Sequence, residues 1–279
     1  MASARYLVCT YRFSAEVEEA AVALLWLEGC EGLEELGSDG AFSTVEAYFP
    51  AEMGEPPRPS LAGVELLECR RLEEMDWLEE YRRHAQPLAV GRSFLVDPRE
   101  PEEPEVEAEP GRRVLRIPAR QAFGTGSHES TRLILELLEE VPLTGSRVLD
   151  VGSGSGILSF AALALGARSV AGFDLDPVSA FLAGQYRRLN DLHPSFFAGR
   201  LDALEASAVF DLLLINILPE RILPEVHRLP PMLRPSGEIL LSGILLELAE
   251  EVLEAWRKWG FGVVDRRVEG DWVAYRCRR

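Results

Sequence analysis

Cysteine is scarce in this sequence, and its placement excludes the common metal and redox motifs. The four cysteines are not in CxxC spacing and do not cluster with the four histidines, so no zinc site is predicted and we expect no bound metal. We predict that all four are reduced, mostly structural thiols of a cytoplasmic protein: Cys9, Cys30, Cys69 and Cys277.

Positive charge is also in short supply. The 29 Lys and Arg residues are outnumbered by 46 Asp and Glu residues, which gives a formal net charge of −17. Nucleic-acid phosphates would be repelled, so we expect no direct contact with nucleic acid. An acidic surface would speed the encounter with a basic protein partner, although a net charge of this kind often serves solubility alone.

No apolar run is long enough to cross a lipid bilayer. The longest extends from Ala20 to Leu27, far short of the roughly 20 residues that a membrane-spanning helix needs. The N-terminus also lacks the apolar core of a signal peptide. We therefore expect a cytoplasmic, monomeric protein without membrane contact.

The first part of the chain combines strands with one amphipathic helix. Ser14 is predicted to cap this helix, which covers residues 15–28. Strands are predicted on either side of it, with the turn Ser38-Asp39-Gly40 joining two of them: 4–13, 31–37 and 42–49, followed by an apolar stretch at 64–69. This order predicts a small α+β domain of the ferredoxin-like type over residues 1–72.

A linker region follows at residues 73–92. Residues 75–84 are predicted to form a short helix that joins two domains, with Trp77 and Tyr81 one turn apart. Residues 98–110 are dominated by Pro and Glu, which predicts an exposed loop.

The remainder, residues 93–279, predicts a domain in which helices and strands alternate. This pattern indicates an α/β fold with a doubly wound, mostly parallel sheet that has an antiparallel end. The predicted helices are 128–140, 156–165, 177–190, 202–206, 220–231 and 246–259, and the predicted strands are 112–117, 146–151, 168–174, 195–198, 210–216, 237–242, 261–268 and 271–277.

A glycine-rich turn follows the strand at 146–151. The run from Val148 to Gly156 places an acid, Asp150, before alternating glycines at Gly152, Gly154 and Gly156. Dinucleotide sites have the spacing GxGxxG, whereas GxGxG after an acid is typical of enzymes that bind S-adenosylmethionine (AdoMet). Backbone N–H groups at the helix start would bind the cofactor carboxylate, and Asp150 would balance its ammonium group. The alternative is a tight turn without a ligand.

Two acids close the next two strands. Asp174 is placed to accept both ribose hydroxyls, while Asp176 is predicted to cap the helix that starts at Pro177. Asp202 follows the third strand and either accepts from the adenine amino group or caps a helix.

Asn216 ends the buried strand 210–216 and is the candidate catalytic residue; it is also a candidate cofactor-binding residue. At the rim of an open α/β sheet, beside the cofactor, its amide oxygen and nearby carbonyls would hold an attacking amine. The alternative is that Asn216 caps the following helix.

The loop 121–131 is rich in small residues and precedes a helix. Phe123, Thr125 and Gly126 would close over the cofactor and exclude water. His128 is a candidate general base, although a single histidine at a helix start is more often structural. The Gly-x-Ser-x-Gly pattern within 152–156 lacks an identified His–acid pair, so a hydrolase is not predicted.

Taken together, these motifs resemble the ribosomal protein L11 methyltransferase (PrmA) family over almost the whole chain. The most specific are Ala122-Phe123-Gly124-Thr125-Gly126, Asp174-Leu175-Asp176-Pro177, and Leu241-Ser242-Gly243-Ile244-Leu245. The resemblance implies a Rossmann-like, seven-stranded class I methyltransferase sheet. It also implies an N-terminal domain that recognises a basic ribosomal stalk protein, and methyl transfer from AdoMet to lysine or N-terminal amines, with S-adenosylhomocysteine as product.

Several positions depart from the family pattern near the expected substrate entrance. They include Ala119-Arg120, Tyr186 and Pro219-Glu220. Two alternatives therefore stay open: a related methyltransferase that acts on another protein or a small molecule, and a non-catalytic AdoMet-binding module.

Overall fold

The computed structural model describes residues 4–38, 40–59, 61–73, 85–119, 126–204 and 209–279. The chain divides into two compact units, Met1–Arg83 and His84–Arg279. Among the described residues, no helix is long and apolar enough to cross a membrane. The linker helix predicted at 75–84 lies outside the described residues, and the predicted domain limits stay predictions.

The first unit is a four-stranded antiparallel sheet with one helix. Its elements are β1 (Ala4–Ser14), α1 (Glu18–Leu27), β2 (Gly32–Ser38), β3 (Phe42–Pro50) and β4 (Val64–Glu73), and the strand order is β2-β3-β1-β4. Alternate residues of β1 and β3 form a core with Ala21 and Leu25 of α1. Between β3 and β4 the described residues form a short 3-10 turn, Ala51–Met53, where the full ferredoxin motif has a second helix.

Two sequence predictions for this unit are wrong. Cys9 and Cys69 lie directly opposite each other on β1 and β4 and form a disulfide, so they are not reduced thiols. Cys30 and Cys277 are free and buried, as predicted. The second error concerns Ser14, which belongs to β1. The cap of α1 is Val17, without a side-chain hydrogen bond.

The second unit begins with a small three-stranded sheet. It contains β5 (Leu88–Val90), β6 (Phe94–Asp97) and β7 (Arg113–Arg116), in which β5 is antiparallel and β7 parallel to β6. Only β7 was predicted from the sequence. Buried Asp97 at the end of β6 accepts hydrogen bonds from Arg99, with an Nε–Oδ1 distance of 2.8 Å, and these bonds lower the pKa of its carboxyl group although burial opposes them.

A seven-stranded sheet forms the centre of the second unit, which confirms the predicted fold class. Its strands are β8 (Arg147–Val151), β9 (Ser169–Asp174), β10 (Ser195–Ala198), β11 (Phe210–Asn216), β12 (Leu233–Leu245), β13 (Gly262–Glu269) and β14 (Trp272–Arg278). The strand order is β10-β9-β8-β11-β12-β14-β13, in which β14 pairs antiparallel with both β12 and β13 and the other pairs are parallel.

Helices cover both faces of this sheet, so its central strands are buried on each side. Along β11, Leu212 and Leu214 belong to one core, while Leu213 and Ile215 belong to the other. The helices are α2 (Glu129–Leu138), α3 (Ile157–Ala164), α4 (Pro177–Asn190), α5 (Pro219–Ile222) and α6 (Ala249–Arg257).

Two predicted helices differ from what the structure shows. Where a helix is predicted at 202–206, the described residues form a 3-10 turn, Leu201–Ala203, and residues 205–206 lie outside the described part of the chain. The helix predicted at 220–231 breaks into α5, the 3-10 segment Leu223–Arg228 and a further 3-10 turn, Pro230–Met232. Pro224 and the prolines at 230 and 231 lack the N–H groups that a continuous α-helix needs.

Candidate active site

A cavity of about 550 Å³ opens at the carboxyl ends of β8, β9 and β11. Its walls also include the first turns of α2 and α3, and the irregular part of β12. Parallel α/β sheets bind ligands at this edge, where the strand order reverses. The volume is within the range of small-molecule sites, roughly 300–1,000 Å³.

The glycine-rich turn forms the floor of this cavity. Gly152, Gly154 and Gly156 have φ values of 68°, 50° and 80°, a conformation that side chains disfavour. A Cβ on Gly156 would stand 2.5 Å from the Phe196 ring, and one on Gly152 would stand 2.7 Å from Ile217. A side chain at Gly152 or Gly156 would therefore collide with its neighbours, so the turn requires glycine at these two positions. Gly152 and Gly154 line the cavity, and Gly156 caps α3 just behind them.

Asp150 lies behind the turn rather than among the described residues that line the cavity. It is 1% exposed and its Oδ2 accepts a hydrogen bond of 2.6 Å from the Ser159 hydroxyl on α3. Burial raises the pKa of Asp150 to about 7, and the nearby charge of Asp174 adds to this shift. Its predicted role toward a cofactor ammonium stays a prediction.

Asp174 reaches the cavity from the end of β9. Its Oδ2 accepts from the Gly154 backbone N–H at 2.8 Å, and its Oδ1 accepts from the Asp176 N–H at 3.0 Å. Each oxygen keeps a lone pair for a hydroxyl group. Asp176 caps α4, with Pro177 as the first helical residue, which confirms its predicted structural role.

The far end of the cavity lies between two loops. Asp202 and Leu201 line one side, within a 3-10 turn whose cap is Arg200, so the predicted alternative of a capping Asp202 is wrong. The other side is lined by residues of α5 and of the following 3-10 segment, for which the sequence predicted no role. These residues are Arg221, Ile222, Glu225 and Arg228.

Asn216 occupies the opposite end, at the carboxyl end of β11. Its Nδ2 donates to the Thr131 hydroxyl at 3.2 Å, which fixes the orientation of the amide. Its Oδ1 is buried and has no hydrogen-bond partner among the residues that the structure describes. The alternative role as a helix cap is wrong, because Leu218 caps α5 without a side-chain bond. A Cβ on Gly243 of β12 would stand 3.1 Å from Oδ1, so the amide is tightly enclosed.

The start of α2 supports this amide. His128 caps α2, since its Nδ1 accepts from the Ser130 N–H at 3.2 Å, and its ring meets the edge of Trp272 at a centroid distance of 4.7 Å. The Ser242 hydroxyl of β12 donates to the Ser130 carbonyl at 2.8 Å. His128 thus has the structural role that the sequence favoured. Thr131 and Trp272 line the cavity, although the sequence analysis gave them no role.

The predicted lid loop is only partly described. Phe123 and Thr125 lie outside the described residues, so their predicted contacts stay predictions. Gly126 has a φ of 87°, and a Cβ there would stand 3.0 Å from Ile157, which lines the cavity. Gly126 therefore lies beside the part of the cavity wall that Ile157 forms.

These features fit AdoMet. Gly152 and Gly154 line the cavity, where their backbone can contact a carboxylate, and Asp174 presents lone pairs for ribose. At the other end, Asn216 offers an acceptor that no described residue bonds. A cofactor cleft with an amide acceptor beside it, on a seven-stranded sheet with one antiparallel end, defines a class I AdoMet-dependent methyltransferase.

Comparison with known proteins identifies the family. The family model "Ribosomal protein L11 methyltransferase (PrmA)" matches residues 42–279. A relative of that name from Deinococcus radiodurans is 34% identical over 277 residues and is covered to 96%, with 95% of this chain aligned. Another, from Geobacter sulfurreducens, is 38% identical over 264 residues, which cover 87% of this chain and 82% of the relative.

A solved structure agrees with these matches. The ribosomal protein L11 methylase from Lactobacillus delbrueckii subsp. bulgaricus superposes with a TM-score of 0.64 and 27% identity, covering 70% of this chain and 98% of that one. The chain belongs to the ribosomal protein L11 methyltransferase (PrmA) family and is an AdoMet-dependent methyltransferase.

Proposed function

We propose that this protein methylates lysine side-chain or N-terminal amines of ribosomal protein L11. The observation that carries this proposal is the buried Oδ1 of Asn216, which no described residue bonds, beside a cavity that fits AdoMet. An unsatisfied buried acceptor is costly unless a ligand completes it, and an amine N–H is the matching donor. The substrate follows the names of the relatives. The expected location is the cytoplasm, where the ribosome works.

Each part of the cavity has a separate task in this reaction. The glycine turn, Asp174 and Asp202 would hold the carboxylate, ribose and adenine of AdoMet, and Asp150 would balance its ammonium group from behind. Bound AdoMet supplies an electrophilic methyl group on a sulfonium centre. The chain's own residues then orient the amine and exclude water, which are the main contributions to a transfer of this type.

Asn216 orients the nucleophile. Its Oδ1 would accept an N–H bond from the neutral amine, and this bond turns the nitrogen lone pair into the cavity. The bond between Nδ2 and Thr131 holds the amide in this orientation. The amine must lose a proton before it attacks, and water can take that proton, so a dedicated base is not required.

The test is incubation of the purified protein with AdoMet and unmodified ribosomal protein L11, followed by intact-mass measurement of L11. Mass gains in methyl-sized steps are expected, and Asp174→Ala should abolish them. If L11 stays unmodified while AdoMet binds, the substrate assignment is wrong. A lysate labelled with radioactive AdoMet would then show whether another protein is methylated.

A further inference from the structure

An ion pair joins the start of helix α2 to the hairpin of β13 and β14. The guanidinium of Arg132, in the first turn of α2, donates to both carboxylate oxygens of Glu269 at the end of β13. The Nη2–Oε1 distance is 2.6 Å and the Nε–Oε2 distance is 3.1 Å. A two-point contact of this kind fixes direction as well as distance. The Arg132 side chain is 19% exposed, so salt screens this pair less than it screens a fully exposed one.

Arg132 also holds the residues that lead into α2. Its Nη1 donates to the Ser127 carbonyl, and its Nη2 lies 3.3 Å from Oε1 of Glu129. Ser127 directly precedes His128, which caps α2. One guanidinium therefore connects the entry into α2 with the end of β13.

The hairpin that Glu269 closes carries a wall of the cavity. A two-residue turn, Gly270-Asp271, leads from Glu269 to Trp272, and these two residues are partners in the strand register. Trp272 lines the cavity, and its ring contacts the His128 ring at a centroid distance of 4.7 Å. Pairing with Leu245 of β12 holds the Trp272 backbone. The ion pair therefore sets how the start of α2 lies against this hairpin.

The same turn of α2 also contacts Asn216. Thr131, the residue before Arg132, accepts from the Asn216 Nδ2 at 3.2 Å. Neither Arg132 nor Glu269 is among the described residues that line the cavity. Any effect of the ion pair on the reaction must therefore pass through its neighbours, Thr131 and Trp272.

We propose that Arg132 and Glu269 are positioning residues, which set the separation between the Trp272 wall and the Asn216 amide. The proposal rests on the proposed function, in which the amine binds at Asn216. An attacking amine must lie within a narrow range of distance and direction, so a small displacement of a wall slows transfer. A partly exposed ion pair contributes little to stability. Positioning therefore accounts better for this two-point contact beside the cavity.

The kinetic test measures methyl transfer to ribosomal protein L11 by the full chain. Arg132→Gln should lower kcat about tenfold, while the KM for L11 and the Kd for AdoMet change by less than about twofold. Arg92→Gln is the matched control, because it removes an ion pair at the other end of α2. There the Arg92 Nη1 lies 2.8 Å from Oε1 of Glu140. The control should leave kcat unchanged.

A double-mutant cycle separates positioning from a general loss of stability. In a Trp272→Ala background the wall is already absent. Adding Arg132→Gln should then lower kcat by less than about twofold, because the ion pair acts through Trp272. A purely structural ion pair would lower kcat by the same factor in both backgrounds.

A second measurement needs no substrate. The indole N–H resonance of Trp272 in ¹⁵N-labelled protein, assigned by its loss in Trp272→Phe, reports the surroundings of the ring. Arg132→Gln should shift this resonance, and Arg92→Gln should leave it in place.

Each outcome has a defined meaning. An unchanged kcat in Arg132→Gln, an unshifted indole resonance, or equal losses of kcat in the two backgrounds would each overturn the proposal. A loss of kcat in Arg92→Gln as large as in Arg132→Gln would also overturn it, since any weakening of α2 would then slow transfer. If the wild type does not methylate L11, the proposed function is wrong, and the indole resonance alone decides whether the ion pair positions Trp272.

Discussion

Three polar side chains end neighbouring strands of the large sheet, and their surroundings differ. Asp150 is fully buried and accepts a hydrogen bond from Ser159, while Asp174 is half-buried and accepts one from the glycine turn. Asn216 donates through Nδ2, and its Oδ1 has no partner among the described residues. Burial, hydrogen bonding and the absence of a partner thus give the three residues separate tasks at one sheet edge.

The position of Asp174 gives a first prediction. Asp174→Asn should weaken AdoMet binding at least about tenfold, because a charged acceptor of two hydroxyls is lost. Asp176→Asn is the matched control, since Asp176 is only two residues away but caps α4, and Asn is an equally good cap. Calorimetric titration with AdoMet measures both. Equal affinities in the two variants would show that Asp174 does not bind the cofactor.

The buried Asp150 gives a prediction about pH. Its pKa is raised to about 7 in the folded state, so the folded protein binds more protons than the unfolded chain between about pH 4 and 7. The contribution of Asp150 to the free energy of unfolding should therefore fall as pH rises through this range. In the ligand-free protein, Asp150→Asn should not show this loss. The free energy of unfolding of the variant, relative to that of the wild type, should therefore rise by about 2 kcal/mol from pH 5 to pH 8.

Denaturant unfolding at the two pH values measures this effect. The same variant should bind AdoMet more weakly, because the balancing charge for the ammonium group is gone. A stability difference between variant and wild type that does not change with pH would contradict the raised pKa.

At the scale of single residues, the sequence shows which residues end a strand, but not which distant residues contact each other in the fold. Asp174 and Asn216 were predicted because each follows a buried strand, and parallel strands end at one edge. The contact between Asn216 and Thr131 joins residues 85 positions apart, and no local pattern signals it. The same holds for Cys9 and Cys69, which are 60 positions apart and pair only through the register of β1 and β4.

Among the secondary-structure elements, the glycine turn before α3 is the most constrained. Gly156→Ala should weaken AdoMet binding at least about tenfold and destabilise the protein by more than about 1 kcal/mol, because the Cβ adds a clash with Phe196 to the backbone strain. Gly145→Ala is a matched control, since Gly145 has the same φ of 80° and no atom within 4 Å of a Cβ. Gly145→Ala should lower stability only through backbone strain, and its affinity for AdoMet should equal that of the wild type.

Thermal unfolding and AdoMet titration of the two variants provide the comparison. If Gly145→Ala lost as much cofactor affinity as Gly156→Ala, the close packing of the turn would not be what shapes the site.

Long, periodic elements were predictable, and short or proline-interrupted ones were not. The central strands β8, β9 and β11 and helix α4 lie where the sequence placed them, because continuous apolar runs and a capping Asp mark them. β5 and β6 have three and four residues and leave no periodic signal. The helix predicted at 220–231 is interrupted after α5, because Pro224 has no backbone N–H for a continuous α-helix.

For the whole molecule, the division into two units predicts a local response to the cofactor. The cavity is lined by residues of the second unit, His84–Arg279. AdoMet at 100 times its Kd should stabilise the folded second unit by about 2.7 kcal/mol. Hydrogen exchange should therefore slow in β8, β9 and β11 and stay unchanged in β1 to β4. Equal slowing of hydrogen exchange in both units would contradict the claim that AdoMet stabilises only the second unit.

The excess of acidic residues is readable from composition, while the domain limits predicted from the sequence stay predictions. The exposed apolar face of α1 was not predicted, because the sequence predicted α1 only as an amphipathic helix. The exposure of Trp26 and Leu27 follows from the way α1 packs on the sheet, which a helical period does not specify by itself.

The central claim is that Asn216 holds the amine for transfer beside bound AdoMet. The most direct test is the rate of methyl transfer to ribosomal protein L11 by Asn216→Ala at saturating AdoMet, with cofactor binding confirmed by titration. We predict that kcat falls at least about 100-fold, as for the loss of an orienting group in an active site, while the Kd for AdoMet changes little. A variant that transfers methyl groups at the wild-type rate would contradict the account.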